Sequence, residues 1–220
     1  MRKLVAVHPF LDYYDPYHPM KRLLFALCLT VLVSPALRAQ DLAPEDRDKA
    51  VKYLEKTRAD VLKATKGLSE AQWNFKPGPD RWSVAEVTEH IAAAEDFLMD
   101  MIRDKVMKAP ARAEADDVKA LDELVLQRIP DRTNKAQAPE PLRPNNRFGS
   151  PKGSLKHFKE SRAKTIAFLK TTQDLRQHAV ESPLGKKLDG YQWVLFIAAH
   201  SERHTKQINE VKADPSFPKK

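Results

Sequence analysis

Three histidines offer the most chemistry in this chain. His200 and His204 stand four residues apart, so one turn of helix stacks them on a common face. Trp193, Ile197, Ile208 and Val211 follow the same stripe, which makes that face an inward one. His90 lies in a second apolar stripe, with Val87, Ile91 and Ala94 around it. A buried imidazole needs a partner at its ring nitrogens, and an unpaired one costs about 1–3 kcal/mol. One divalent ion facing all three rings would satisfy them together. Three imidazoles leave a tetrahedral ion a fourth position for water or substrate, the pattern of catalytic rather than structural zinc. Zinc is the first expectation, and nickel or iron suit the same donors. The spacing leaves a second reading open, in which these are core histidines hydrogen-bonded to hydroxyls or to carboxylates such as Glu86.

Glu86 and Glu89 are the candidate general bases, on position alone. Ser83 followed by Glu86 is also a capping box, which gives Glu86 a structural task. His157 and His178 fall on polar faces and are expected in solvent. His8 and His18 lie in the first nineteen residues.

The elements that must position these side chains read as helices. A first helix runs from about Pro44 to Lys66, stopped by Gly67, with Val51, Leu54, Val61 and Leu62 inward. The connector 68–82 is turn-rich yet carries Trp73, Phe75 and Trp82, and reads as a lid on one end of the core. A second helix opens at Ser83 and ends near Lys108, with Val87, Ile91, Ala94, Leu98 and Met101 inward. Residues 109–152 are rich in proline and charge, with a short helix around Asp117–Arg128. Such a connection is long for neighbouring helices and suffices to cross the bundle, so that the second and third helices run parallel. The third helix covers about Leu155–Thr172, with Leu155, Phe158, Ile166 and Leu169 inward. The fourth covers about Tyr191–Ala213. No segment alternates with period two over a useful length, so no sheet is expected. The fold class is all-α: a four-helix bundle with a long crossover connection between helices 2 and 3.

The net charge of +8 is spread among acids with no block of five like charges, so no nucleic-acid partner is expected. The single cysteine, Cys28, excludes a disulfide framework. It sits inside the apolar run of Met20–Gln40, where Lys21 and Arg22 precede Leu23–Val33, and Ser34-Pro35 precedes Ala36 and Ala39. That is the order of a secretory signal peptide. The run is about half the ~20 residues of a spanning helix, so no stable membrane anchor is expected after cleavage. The expected organisation is therefore a non-native extension over 1–19, with Met20 the initiator; a signal peptide over 20–39; and a bundle domain over 40–220. The product would be exported, periplasmic or secreted.

Four stretches carry a family resemblance: Trp73-Asn74-Phe75-Lys76-Pro77 leading to Trp82-Ser83; Val84-Ala85-Glu86-Val87-Thr88-Glu89-His90; Pro141-Leu142-Arg143-Pro144; and His200 through Ile208. With these the chain resembles the DinB-like superfamily from about Val51 to Lys212. The resemblance implies a four-helix bundle with a long connection between helices 2 and 3. It also implies a divalent metal on one histidine of helix 2 and two of helix 4, here His90, His200 and His204. Lys206 departs from the small residue that relatives often place there, and removes no ligand. Members of known activity include metal-dependent thiol transferases, a mycothiol-dependent isomerase and proposed hydrolases, and bundles of this kind often dimerise. Three functional expectations follow: a metal-dependent hydrolase-like enzyme acting on a small-molecule substrate through activated water, a non-catalytic metal or small-ligand binder, or a metal-dependent thiol transferase. Export weighs against the last, because small thiols are kept reduced mainly inside cells.

Overall fold

The structure, a computed structural model, describes residues 41–112 and 117–219. The expected extension over 1–19 and signal peptide over 20–39 lie outside them. Six helices and one small hairpin follow in order: α1 (Pro44–Thr65), α2 (Glu70–Asn74), α3 (Val84–Met101), α4 (Val118–Arg128), α5 (Pro151–Thr171), β1 (Ala179–Glu181), β2 (Lys187–Asp189) and α6 (Gly190–Lys212). None of the described helices is long and apolar enough to cross a membrane.

Local chemistry sets the helix ends. Pro44 occupies the first turn of α1 beside Glu45 and Asp46, whose negative charge suits a helix N-terminus. Gly67, at φ 68°, turns the chain out of α1. Ser83 and Glu86 form the expected capping box on α3, and Asp189 with Gln192 forms another on α6. Ser150 caps α5 four residues earlier than the apolar pattern indicates, with Pro151 at the first helical position. Beyond Met101 the chain continues as one π-helical turn, Ile102–Val106.

The bundle is formed by α1, α3, α5 and α6, and cross-helix pairs give their directions. Asp46 meets Tyr191, Tyr53 meets Glu202 and Ala64 meets Lys212, so α1 and α6 run parallel. Asp96 meets His157, and Glu95 meets Arg162 and Thr165. Val87 and Ile91 share a cluster with Phe158, and Leu98 and Ile102 share one with Ile166 and Leu169, so α3 and α5 run parallel too. His90 meets His204 while Leu98 clusters with Trp193, which sets the two pairs antiparallel. The second and third bundle helices are thus parallel, as the long crossover permits.

Apolar residues gather toward each end of the bundle. One cluster includes Leu54, Leu98, Ile102, Leu169 and Val194; the other includes Val61, Val87, Ile91, Phe158 and Ile208. Trp73, Phe75 and Trp82 pack against the second cluster, as a lid over that end should. Between the clusters lies a polar layer centred on Arg162, which is fully buried. Its guanidinium donates to Glu95 Oε1 and Oε2 (2.8 and 2.7 Å), the Leu54 carbonyl (2.8 Å), Thr57 Oγ1 (2.8 Å) and Ser201 Oγ (2.7 Å). One side chain of α5 therefore ties all three other bundle helices.

The expectation of no sheet is corrected by β1 and β2, an antiparallel pair with Val180 opposite Leu188. Its strands have three residues each, too short for alternation to register, and Gly185 at φ 67° turns the chain between them. His157 and His178 are likewise half-buried rather than in solvent. His157 bonds Asp96 and stacks on Phe148, and His178 Nδ1 donates to the Ala109 carbonyl (2.5 Å).

Candidate metal centre

His90 stands two turns into α3, on the face that looks across to α6. His200 and His204 stand one turn apart on α6, where it runs antiparallel to α3. This brings all three Nε2 atoms together: His90 to His200 at 3.2 Å, His90 to His204 at 3.1 Å and His200 to His204 at 3.1 Å. His90 and His204 are buried, and His200 is half-buried. The Trp82 ring lies 5.0 Å from that of His90, and Phe196 stacks at 6.4 Å from His200.

The outer nitrogens fix where the protons sit. His90 Nδ1 faces the Leu142 carbonyl at 2.9 Å, and a carbonyl only accepts, so Nδ1 carries the proton and Nε2 presents a lone pair. His204 Nδ1 faces Gln207 Oε1 at 2.7 Å. That atom is the amide oxygen because Arg132 donates to it (3.4 Å) while pairing with Glu210 through two bonds of 2.6 and 2.7 Å. In the neutral triad at most one proton, on His200, serves three close N···N edges. Core histidines satisfied by hydroxyls or by Glu86 are therefore not what the fold builds.

Burial is the first cause holding the His200 and His204 rings well below the ordinary imidazole range, reinforced in each by neighbouring positive charge. For His90 burial also pushes the value down, the bond to the Leu142 carbonyl opposes it, and the Arg147 charge adds to the fall. Neutral rings with inward lone pairs are the form in which histidine ligates metal. The spacing fits as well. With metal–imidazole bonds of about 2.0–2.1 Å, the N···N edge runs from about 2.9 Å at right angles to about 3.4 Å at the tetrahedral angle. The observed edges fall inside that interval. Among the described residues, these three form a group whose donor atoms lie together closely enough for one ion.

The two carboxylates singled out by position do not join them. Glu86 Oε2 accepts from the Ser83 N–H (2.8 Å) and Oε1 pairs with Lys76 (2.7 Å). Glu89 accepts from the backbone of residues 145–147. Two partners of the triad escape a reading of residue types. The Leu142 carbonyl is backbone, and only its place in Pro141-Leu142-Arg143-Pro144 marks the segment. Gln207 lies three residues after His204, the spacing that lets a helical side chain reach back.

Comparison with known proteins matches residues 53–208 to the DinB superfamily model. The chain belongs to the DinB superfamily. As a DinB-superfamily member it is 32% identical over 158 residues to the uncharacterised protein YuaE of Bacillus subtilis (strain 168), covering 70% of this chain and 92% of that one. Its fold is similar to that of YfiT from Bacillus subtilis, with a TM-score of 0.50 at 18% identity over 80% of this chain and 91% of that chain. YfiT is described as a "probable metal-dependent hydrolase with an unusual four-helix bundle topology".

Proposed function

We propose that this DinB-superfamily protein binds one divalent metal, zinc foremost, through His90, His200 and His204, and uses it to hydrolyse a small electrophilic substrate. The observation that carries this reading is the triangle of Nε2 atoms at 3.1–3.2 Å, with two of the outer nitrogens committed to acceptors. A metal on three histidines supplies a Lewis acid that acidifies water near neutral pH. The chain's own contribution is to hold the rings neutral by burial and to fix their tautomers. Trp82 and Phe196 flank the rings with apolar surface. The description of YfiT as a "probable metal-dependent hydrolase" agrees in class. Export through the Met20–Ala39 leader is part of the proposal and favours water over a small thiol as the nucleophile.

One observation favours a non-catalytic metal binder as the second reading. Both carboxylates nearest His90 in sequence are engaged elsewhere, so neither Glu86 nor Glu89 is free to act as a base. Exported protein, with its N-terminus expected at Gln40, distinguishes the two when assayed on a panel of ester, amide and lactone substrates. Hydrolysis that EDTA abolishes, that Zn2+ restores and that His204→Ala lacks supports the enzyme. Stoichiometric metal with no turnover on any substrate supports the binder. An N-terminus upstream of Met20 contradicts the leader.

A further inference from the structure

Glu89 precedes His90 on α3 and is buried, 6% exposed. Its carboxylate receives three backbone donors from the crossover. Oε1 accepts the Asn145 and Arg147 N–H groups at 2.9 and 3.0 Å, and Oε2 accepts the Asn146 N–H at 3.0 Å. Successive N–H groups converge on one anion where the backbone changes hand between them, a geometry known as a nest. Asn146 supplies the change: at φ 62° it is the one non-glycine residue in the left-handed region among the described residues. Asparagine tolerates that region better than most side chains. The nest is thus occupied by a side chain of the helix that carries His90.

Three residues before the nest lies Leu142, whose carbonyl takes the His90 Nδ1 proton. Neighbouring positions of α3 therefore hold the crossover at two points, Glu89 at 145–147 and His90 at 142. The link between those points is itself braced. Arg147 Nη2 donates to the Arg143 carbonyl (2.8 Å), and the Arg143 N–H donates to the Glu140 carbonyl (3.0 Å), closing the 3-10 turn Glu140–Leu142. The Leu142 side chain packs on Ala93 and Ala94 of α3, an apolar contact that does not aim its carbonyl; the clamp adds the directional polar tie.

We infer that Glu89 is a positioning residue for the metal centre: by gripping residues 145–147 it places the Leu142 carbonyl that fixes the tautomer and orientation of the His90 ring. The inference rests on the metal-binding reading of the three histidines. It assigns Glu89 a different task from a general base, since both oxygens are spent on the clamp. Outer partners of metal-ligating histidines set ring orientation and ligand basicity, and their loss typically lowers metal affinity about 10- to 100-fold.

Co2+ is the probe, because its visible spectrum reports ligand geometry as well as occupancy. Wild type, Glu89→Gln and Ser83→Ala are titrated with Co2+ under conditions where circular dichroism shows each folded. Gln keeps the size of the side chain, but its amide NH2 faces donors and breaks the clamp. Ser83→Ala removes a cap at the start of the same helix and serves as the control for a general loss of stability. The expected result is Co2+ affinity reduced about 10-fold or more in Glu89→Gln, with an altered visible spectrum, and both unchanged in Ser83→Ala. Should Glu89→Gln fail to fold, Glu89→Asp, which shortens the arm by one methylene, is read in the same way. Wild-type affinity and spectrum in the Glu89 variant overturn the inference while the metal centre stands. A wild type that binds no Co2+ overturns the metal centre and the inference together.

Discussion

The proton on each imidazole decides what the histidine triad is able to do. The Leu142 carbonyl and Gln207 amide oxygen draw the protons of His90 and His204 outward, so lone pairs face inward. Burial then holds all three rings below the ordinary value of about 6.5. In metal-free protein the sign follows from linkage. The unfolded chain takes up protons as pH falls through about 6.5 and the folded chain refuses them. Stability is therefore retained above that pH and lost below it. Urea unfolding of EDTA-treated protein is expected to shift to lower midpoints between about pH 7.5 and about pH 5.5, with a flatter dependence in the His200→Ala, His204→Ala double variant. A level wild-type midpoint across that range contradicts the buried neutral triad.

Among the helices, Arg162 of α5 is where packing and charge meet. Arg162→Met leaves Glu95 buried without its cation and is expected to cost about 3–5 kcal/mol in denaturant unfolding, while adding Glu95→Leu recovers much of it. Wild-type stability in the single variant contradicts the role of the polar layer as a tie among the four helices. This layer also marks where the sequence stops being legible. The starts of α1, α3 and α6 were readable because Pro44, the Ser83 box and the apolar stripes act locally. Val87, Ile91, Leu98, Phe158 and Ile197 are buried as their spacing predicts. Arg162 was not readable: it stands four residues after Phe158 and four before Ile166, on the apolar stripe, but charge places a residue outside unless its partner is known. Glu95 is that partner, sixty-seven positions away, and nothing local joins them. The three-residue strands and the early start of α5 at Ser150 escape the sequence pattern for the reverse reason, since turn and cap chemistry acts where no hydrophobic period exists.

The bundle as assembled explains why three distant histidines meet. Parallel α1 and α6 lie against parallel α3 and α5, so His90 near the start of α3 faces the later half of α6. The crossover is what permits this order and also supplies the carbonyl that faces His90. α4 packs on α6 with Gln192 donating to the Val118 carbonyl (3.2 Å), Arg203 and Lys206 hold the carbonyls around 129–134, and Leu142 then reaches His90. The histidine positions were legible from helical spacing on inward faces, whereas their outer partners came from the crossover, where spacing carries no information. We propose that this assembly holds one ion. Metal content of the protein from Gln40 onward, measured by mass spectrometry for wild type and for the His200→Ala, His204→Ala double variant, tests it most directly. About one zinc, nickel or iron per chain in wild type, and none in the folded double variant, is the predicted result. Wild type that carries no metal, even after reconstitution with divalent ions, would overturn the three-histidine metal centre.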